Sequence, residues 1–343
     1  MGFAKRDVNL AVIAQRLGIS ISTVSRALRG AKSIHPTTRE RILEEAQALG
    51  YLDTHRLAAL NTKNVLVLSQ ARQAGSDSVY MAGLSQAAIT LKVSLISHHY
   101  MPENCHQILD PKSQPMAMTT GDTCGLILLH RWPEEVVRIL SENLPVVSIV
   151  HSYPGVDCVG IEDRSGMLEL VAHLVSGGRS QIGFFGFCPR MNSSCARFGA
   201  YVEALMAHHL PFQLENVIRV TAEEMCSLEL VDVLSTGKLV NARLAAGVNA
   251  WICSNQMLAY SLCQQLQKAG FGIPEDVSLA GFHGNAHPQP AGLPILTTTS
   301  VNSEELGAAA LKRVISRAEQ PQQPCRSILF PCGLSKGEST RHV

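Results

Sequence analysis

At 343 residues, with 46% hydrophobic and 17% charged residues, the chain is long enough for two or three domains and a sizeable core, which excludes a disordered protein. Net charge is only +1, yet residues 1–60 hold nine Lys/Arg against five Asp/Glu, a small basic head on a slightly acidic body that suits nucleic-acid contact confined to the head. The early charges Lys5, Arg6, Asp7, Arg16, Arg26 and Arg29 leave no room for a signal-peptide core, and no run approaches the ~20 apolar residues of a membrane span, so a cytoplasmic protein is expected.

The first fifty residues show helical periodicity without a strand pattern. Leu10, Ile13, Ala14 and Leu17 share one helical face. Gly18 breaks that pattern, and Ser20 is suited to cap a second helix carrying Val24, Ala27 and Leu28 until Gly30. A third helix starts near Pro36–Thr37, places Ile42, Leu43, Ala46 and Leu49 inward, and stops at Gly50. From residue 64 short apolar runs alternate with helix-like stretches: 65–68, 93–97, 125–129, 146–150, 182–185, 250–253 and 277–282. Several lack polar alternation, as strands of a parallel sheet covered on both faces do. The fold class expected is an all-α helix-turn-helix domain followed by an α/β body of two doubly wound parallel sheets, with a ligand cleft at the carboxyl ends of their strands.

Two short helices about a glycine-containing turn fit a helix-turn-helix, with small Ala14 at the crossing and Ile19 and Val24 between the helices. The second helix would present Ile21, Ser22 and Arg26 to base edges; an arginine fork on guanine is worth about 1–3 kcal/mol of discrimination. Ser20, Thr23, Ser25, Arg29 and Lys32 suit phosphate oxygens. Periodicity alone fits an ordinary helical hairpin with a solvated face equally well.

The run Ile19-Ser20-Ile21-Ser22-Thr23-Val24-Ser25-Arg26-Ala27-Leu28, with Thr37-Thr38-Arg39-Glu40-Arg41-Ile42, Ala46 and Leu49-Gly50-Tyr51, resembles the start of a lactose-repressor (LacI/GalR) family regulator. The likeness continues through Leu144-Pro145-Val146-Val147, His173-Leu174, Gly178-Arg179, Arg197 with Tyr201, Ile273-Pro274-Glu275-Asp276-Val277-Ser278, Gly281-Phe282 and Leu296-Thr297-Thr298. The resemblance implies a DNA-binding domain at 1–51, a hinge at 52–61 and a bilobed, periplasmic-binding-protein-like effector and dimerisation domain at 62–343. It implies a transcriptional regulator, by family habit a repressor at the nucleoid, that binds a palindromic DNA operator as a homodimer under a carbohydrate-type effector. The tail after residue 336 lacks a heptad segment, so a dimer is expected and not a tetramer.

In such relatives the hinge becomes helical on DNA and inserts a leucine into the minor groove; Leu60 matches it. Nine residues, 52–60, are too few for a stable isolated helix. Asp53-Thr54 replaces the usual Pro-Asn pair and Leu57 a small alanine. Effector contacts carried over by the resemblance are Asp163, Arg197, Asn255 and His283; Ser76 and Asp77, where Gly75-Ser76-Asp77 replaces the family's aromatic-rich opening of the first lobe, are further candidates. Each has a plain alternative as a structural hydrogen bond. The usual Asn-Asp is Asn255-Gln256 here, Gly-Phe-Asp is Gly281-Phe282-His283, Asp163 precedes Arg164, and Ser303 stands where some members stack a phenylalanine. With two carboxylates lost and two cations gained, an anionic effector such as a sugar phosphate or sugar acid, held by Arg197 with help from His283, is expected over a neutral sugar, a nucleobase or an empty cleft.

No metal or cofactor is expected. The ten cysteines, from Cys105 to Cys332, form no C-x-x-C pair, and His98-His99 and His208-His209 lack ligand spacing. There is no G-x-S-x-G elbow, P-loop or His-Glu-x-x-His, and Gly177-Gly178 precedes a strand instead of following one, so an enzyme is not expected. The rival reading is a free-standing periplasmic-type sugar-binding protein, which has no use for a basic head.

Overall fold

The computed structural model describes residues 10–28, 34–49, 51, 63–70, 74–119, 122–225, 234–282 and 289–341. The head comprises α1 (Leu10–Leu17), α2 (Ile21–Leu28) and α3 (Pro36–Ala48). Helix α1 closes on Gly18 at φ +66°, with the Ile19 amide reaching back to the Ala14 carbonyl at 3.0 Å. That left-handed stop is cheap only for glycine, and it turns the chain sharply into α2. Pro36 begins α3 where its missing N–H costs nothing. Ile13, Val24, Ile42 and Ala46 are wholly buried together, with Leu10, Leu17, Ile19, Leu49 and Tyr51 packed around them. In so small a core, truncating Ile13 or Ile42 to alanine costs about 2–5 kcal/mol.

In the body, the described residues form twelve strands in two six-stranded sheets. The strands are β1 (Lys63–Gln70), β2 (Val93–Tyr100), β3 (Thr123–Leu128), β4 (Val146–Ile149), β5 (Asp157–Glu162), β6 (Ile182–Phe187), β7 (Val217–Arg219), β8 (Ala250–Cys253), β9 (Ser278–Gly281), β10 (Thr297–Ser300), β11 (Ser327–Pro331) and β12 (Gly333–Ser335). The first sheet runs β11-β5-β4-β3-β1-β2, all parallel. The second runs β12-β10-β9-β8-β6-β7, parallel except at its β12 edge. The helices are α4 (Ala74–Leu91), α5 (Met116–Thr119), α6 (Glu134–Asn143), α7 (Asp163–Ser176), α8 (Asn192–Ala207), α9 (Ala222–Met225), α10 (Leu234–Ala245), α11 (Gln256–Lys268) and α12 (Ser303–Glu319).

The two sheets share one winding order, and each reverses direction once, between β1 and β3 and between β6 and β8. Such reversal points open a crevice at the carboxyl ends of the strands. Chain crossings at β5–α7, β10–α12 and β11–β12 join the lobes. Helix α12 returns to the first lobe and lies close against α4. A Cβ added at Gly83 would sit 1.8 Å from the Glu304 carbonyl oxygen, and one at Gly307 2.3 Å from that of Tyr80. Glycine at both positions lets the backbones approach. The doubly wound, two-lobed architecture matches the expectation. The expected runs become β1–β4, β6, β8 and β9, and β8 and β9 are buried throughout. Strands β5, β7, β10, β11 and β12 went unread, because Asp157 and Glu162 bound β5, β10 is threonine-rich, β7 and β12 are three residues long, and β11 is an exposed edge.

Candidate functional site

The head offers one outward face. The Ser20 hydroxyl accepts the Thr23 amide at 3.1 Å and lies 2.8 Å from the Ser22 and Thr23 hydroxyls, so it caps α2 as expected. Val24, Ala27 and Leu28 point inward. On the opposite face Ile21 is 51% exposed, and Ser22 and Arg26 are exposed beside it. The Arg26 Nε–H reaches the Ser22 carbonyl at 3.3 Å, and no carboxylate pairs with it among the described residues. Thr23 and Ser25 are half-buried at its edge. An exposed isoleucine beside an unpaired arginine on a short helix is a surface suited to a groove. Arg29 and Leu60 lie outside the described residues.

The second site is a cavity of about 1100 Å³ between the lobes. Gln70 ends β1, His130 and Arg131 follow β3, Val150 and His151 follow β4, Arg190 follows β6, and Asn255 follows β8; all line it. Both reversal points therefore face one cleft. His130 and Val150 sit there at φ +61° and +69°. Left-handed backbone at non-glycine residues costs about 1–3 kcal/mol each and concentrates at functional sites.

Arg197, on α8, is buried at the cleft's base. Its Nε–H donates to Asp163 at 3.0 Å, an Nη1–H donates to the Ser254 carbonyl at 2.6 Å, and its guanidinium stacks 4.4 Å above the Phe282 ring. Two of its five N–H donors are thereby engaged, one with Asp163 as counter-ion and one as a clamp on the β8 end, and Arg197 lines the cavity. Asp163 lines the cavity at the start of α7, where Glu162 caps the helix by accepting the Arg164 and Ser165 amides. Asn255 also lines it but caps α11, accepting the Leu258 amide at 2.8 Å and donating to the Met225 carbonyl at 2.9 Å. Asp77 takes a different place. It is buried behind the wall, bonded to His130 and 3.7 Å from His99, and does not line the cavity. A position in the first turn of α4 aims it at the histidines and not at the opening. Ser76 falls within α4, and Ser303, at the start of α12, lines a separate surface hollow with Asn302 and Pro331. His283 lies outside the described residues.

The sequence reading missed His130, Arg131, His151 and Arg190. Each follows a strand it had placed, so the rule that ligands meet the carboxyl ends of strands was the available signal. Burial, then the charges of His130, Arg131 and Arg197, lower the His151 imidazole to about 3, leaving it neutral. The Trp132 amide donates to the Tyr153 hydroxyl at 2.7 Å and fixes the wall beside Arg131. The described cysteines are all free, and no group of three or more His, Cys, Asp or Glu among the described residues is placed to hold a metal. No helix among the described residues is long and apolar enough to cross a membrane.

Residues 9–53 match the model of the lacI family of bacterial regulatory proteins, and residues 171–340 match that of the periplasmic binding protein-like domain. The chain is 24% identical over 352 residues to the probable HTH-type transcriptional repressor ExuR of Bacillus subtilis, covering 98% of this chain and 99% of that protein. Its fold superposes on a lac repressor dimer bound to operator and the anti-inducer ONPF, with a TM-score of 0.64, 18% identity and coverage of 98% and 100%. It also superposes on a LacI family transcriptional regulator from Enterococcus faecium with bound ribose, at a TM-score of 0.61 and 19% identity, covering 81% of this chain and 99% of that one. A lacI-type head at one end and a periplasmic-binding-protein-like body behind it, matched along their length by regulators of the same build, place the chain in the LacI family of bacterial regulatory proteins.

Proposed function

We propose that this protein is a sequence-specific DNA-binding transcriptional regulator acting as a repressor. It reads a palindromic operator as a homodimer and is controlled by a small molecule in the interlobe cleft. The observation that carries this reading is the outward face of α2: Ile21, Ser22 and Arg26 stand exposed on a lacI-type head attached to a bilobed body. Arg26 serves as the base-reading fork. Thr23, Ser25, Arg29 and the spare valences of the Ser20 hydroxyl serve the phosphates, and Leu60 serves as a wedge at the minor groove. The division is 1–51 for the head, 52–61 for the hinge and 62–343 for the effector and dimerisation domain. A cleft of about 1100 Å³ suits a sugar-sized ligand. Asp163, Arg197 and Asn255 form its base, and differential binding to open and closed lobes passes the signal to the head. A cytoplasmic, nucleoid-bound location follows from that role.

The test is selection by the full-length protein from a pool of random-sequence duplexes. A regulator enriches a two-fold symmetric sequence with half-sites about one helical turn apart or a multiple of it. A free-standing sugar-binding protein without DNA function enriches nothing.

A further inference from the structure

The charges that line the cleft are unevenly matched. Arg197 is neutralised by Asp163, and Arg164 by Glu203 outside the cavity. Glu162 is occupied by the first amides of α7. Arg131 and Arg190 are different: among the described residues neither makes an ion pair. Both are exposed, and both line the cavity. They come from opposite lobes, each three residues beyond a strand, β3 ending at Leu128 and β6 at Phe187. They also meet. An Nη2–H of Arg131 donates to the Arg190 carbonyl at 3.3 Å, and beside them the Asn192 amide donates to the Ser152 hydroxyl at 3.2 Å. Glu134, in the first turn of α6, lines the same wall but pairs with neither arginine.

Two arginines brought to one opening without a carboxylate partner among the described residues leave positive charge there, and an anion between them gains charge-assisted contacts to both lobes. We propose that the cleft takes a small polyhydroxylated anion whose carboxylate or phosphate sits between Arg131 and Arg190, bridging the lobes, while its hydroxyls meet His151, Asn192 and Asn255. This rests on reading the cleft as the effector site, and it places the anion at the opening instead of on Arg197, whose charge Asp163 already balances. Neutral His151 supplies a donor and an acceptor for hydroxyls and adds no further charge. Because the anion bonds to both lobes at once, it favours the closed arrangement over the open one.

Calorimetric titration of the full-length protein with D-glucuronate, D-glucose 6-phosphate and neutral D-glucose tests this on one carbon frame. The carboxylate and phosphate arms separate the two sources of charge. At least one anion should bind about 10- to 100-fold more tightly than glucose. The exposed pair R131A/R190A should lose that margin, its affinities for anion and glucose converging, whereas R131K/R190K should keep part of it because charge survives without the fork. Glucose binding as tightly as the anions overturns the inference while leaving the cleft reading intact. So does an anion preference that persists in R131A/R190A. If none of the three binds, the cleft reading fails together with the inference.

Discussion

The outward face of α2 and the base of the cleft treat their polar residues in opposite ways. On α2, Ile21, Ser22 and Arg26 stand in solvent while Val24, Ala27 and Leu28 hold the helix in place. In the cleft, Arg197, Asp163 and Asn255 hold the architecture together before any ligand arrives: one clamps β8, one starts α7 and one caps α11. Among the described residues, Arg131 and Arg190 at the opening line the cleft without an ion pair. A surface that meets a large partner can separate recognition from support. A cavity enclosed by two lobes makes the same residues serve both, so a residue's presence in a cleft does not by itself tell what it offers a ligand.

The largest expected effect breaks the comparison at the cleft base. Arg197 and Asp163 are mostly buried, at 9% and 12% side-chain exposure. Removing one partner of such a pair strands the other, so Arg197→Ala should cost about 3–5 kcal/mol in urea unfolding. Replacing both, Arg197→Met with Asp163→Leu, should recover most of that loss. A loss below about 1 kcal/mol for the single variant would show that the residue is no clamp and would return it to the ligand's service.

A second effect is read in pH. Burial works against ionisation of Asp157, but hydrogen bonds from Arg313, Arg317 and the Arg326 amide outweigh it and hold its carboxyl below the usual range. A depressed folded value contributes stability that is full above the ordinary carboxylate range and is lost as pH falls through the folded value. Acid unfolding of Asp157→Asn should lose part of that slope while its stability at neutral pH falls. An unchanged acid slope would remove Asp157 from the account.

The smallest effect belongs to the head. Ser20→Ala removes the cap of α2 and should lower the head's stability by about 1 kcal/mol, seen as earlier loss of helical signal in thermal unfolding. No change would mean that the Thr23 amide finds another partner.

The same contrast explains what the sequence made legible. Ile13, Val24 and Ile42 each belong to an apolar face at helical spacing within its own helix, and Gly18 and Pro36 punctuate those helices, so the head could be read from periodicity and its stop signals. The central strands were legible because burial on both faces makes them uniformly apolar. Strand β5 was not, since the carboxylates at its ends, Asp157 and Glu162, are tied by arginines and helix amides distant in sequence or across a crossing. Asp77 has the residue type of a ligand contact, yet its partners His99 and His130 lie 22 and 53 residues away, and only the winding of the first lobe turns it behind the wall. Arg131 and Arg190 each follow a legible strand, which marks them as candidates one by one, but only the order of strands brings the two to one opening.

Whether α2 reads bases is decided by the selection from random duplexes repeated with Arg26→Ala beside the wild type. The variant should lose its preference at one base pair in each half-site, at a cost of about 1–3 kcal/mol, and keep the rest of the symmetric pattern. A wild-type protein that enriches no sequence, or a variant whose preferences match the wild type at every position, would contradict base reading by α2.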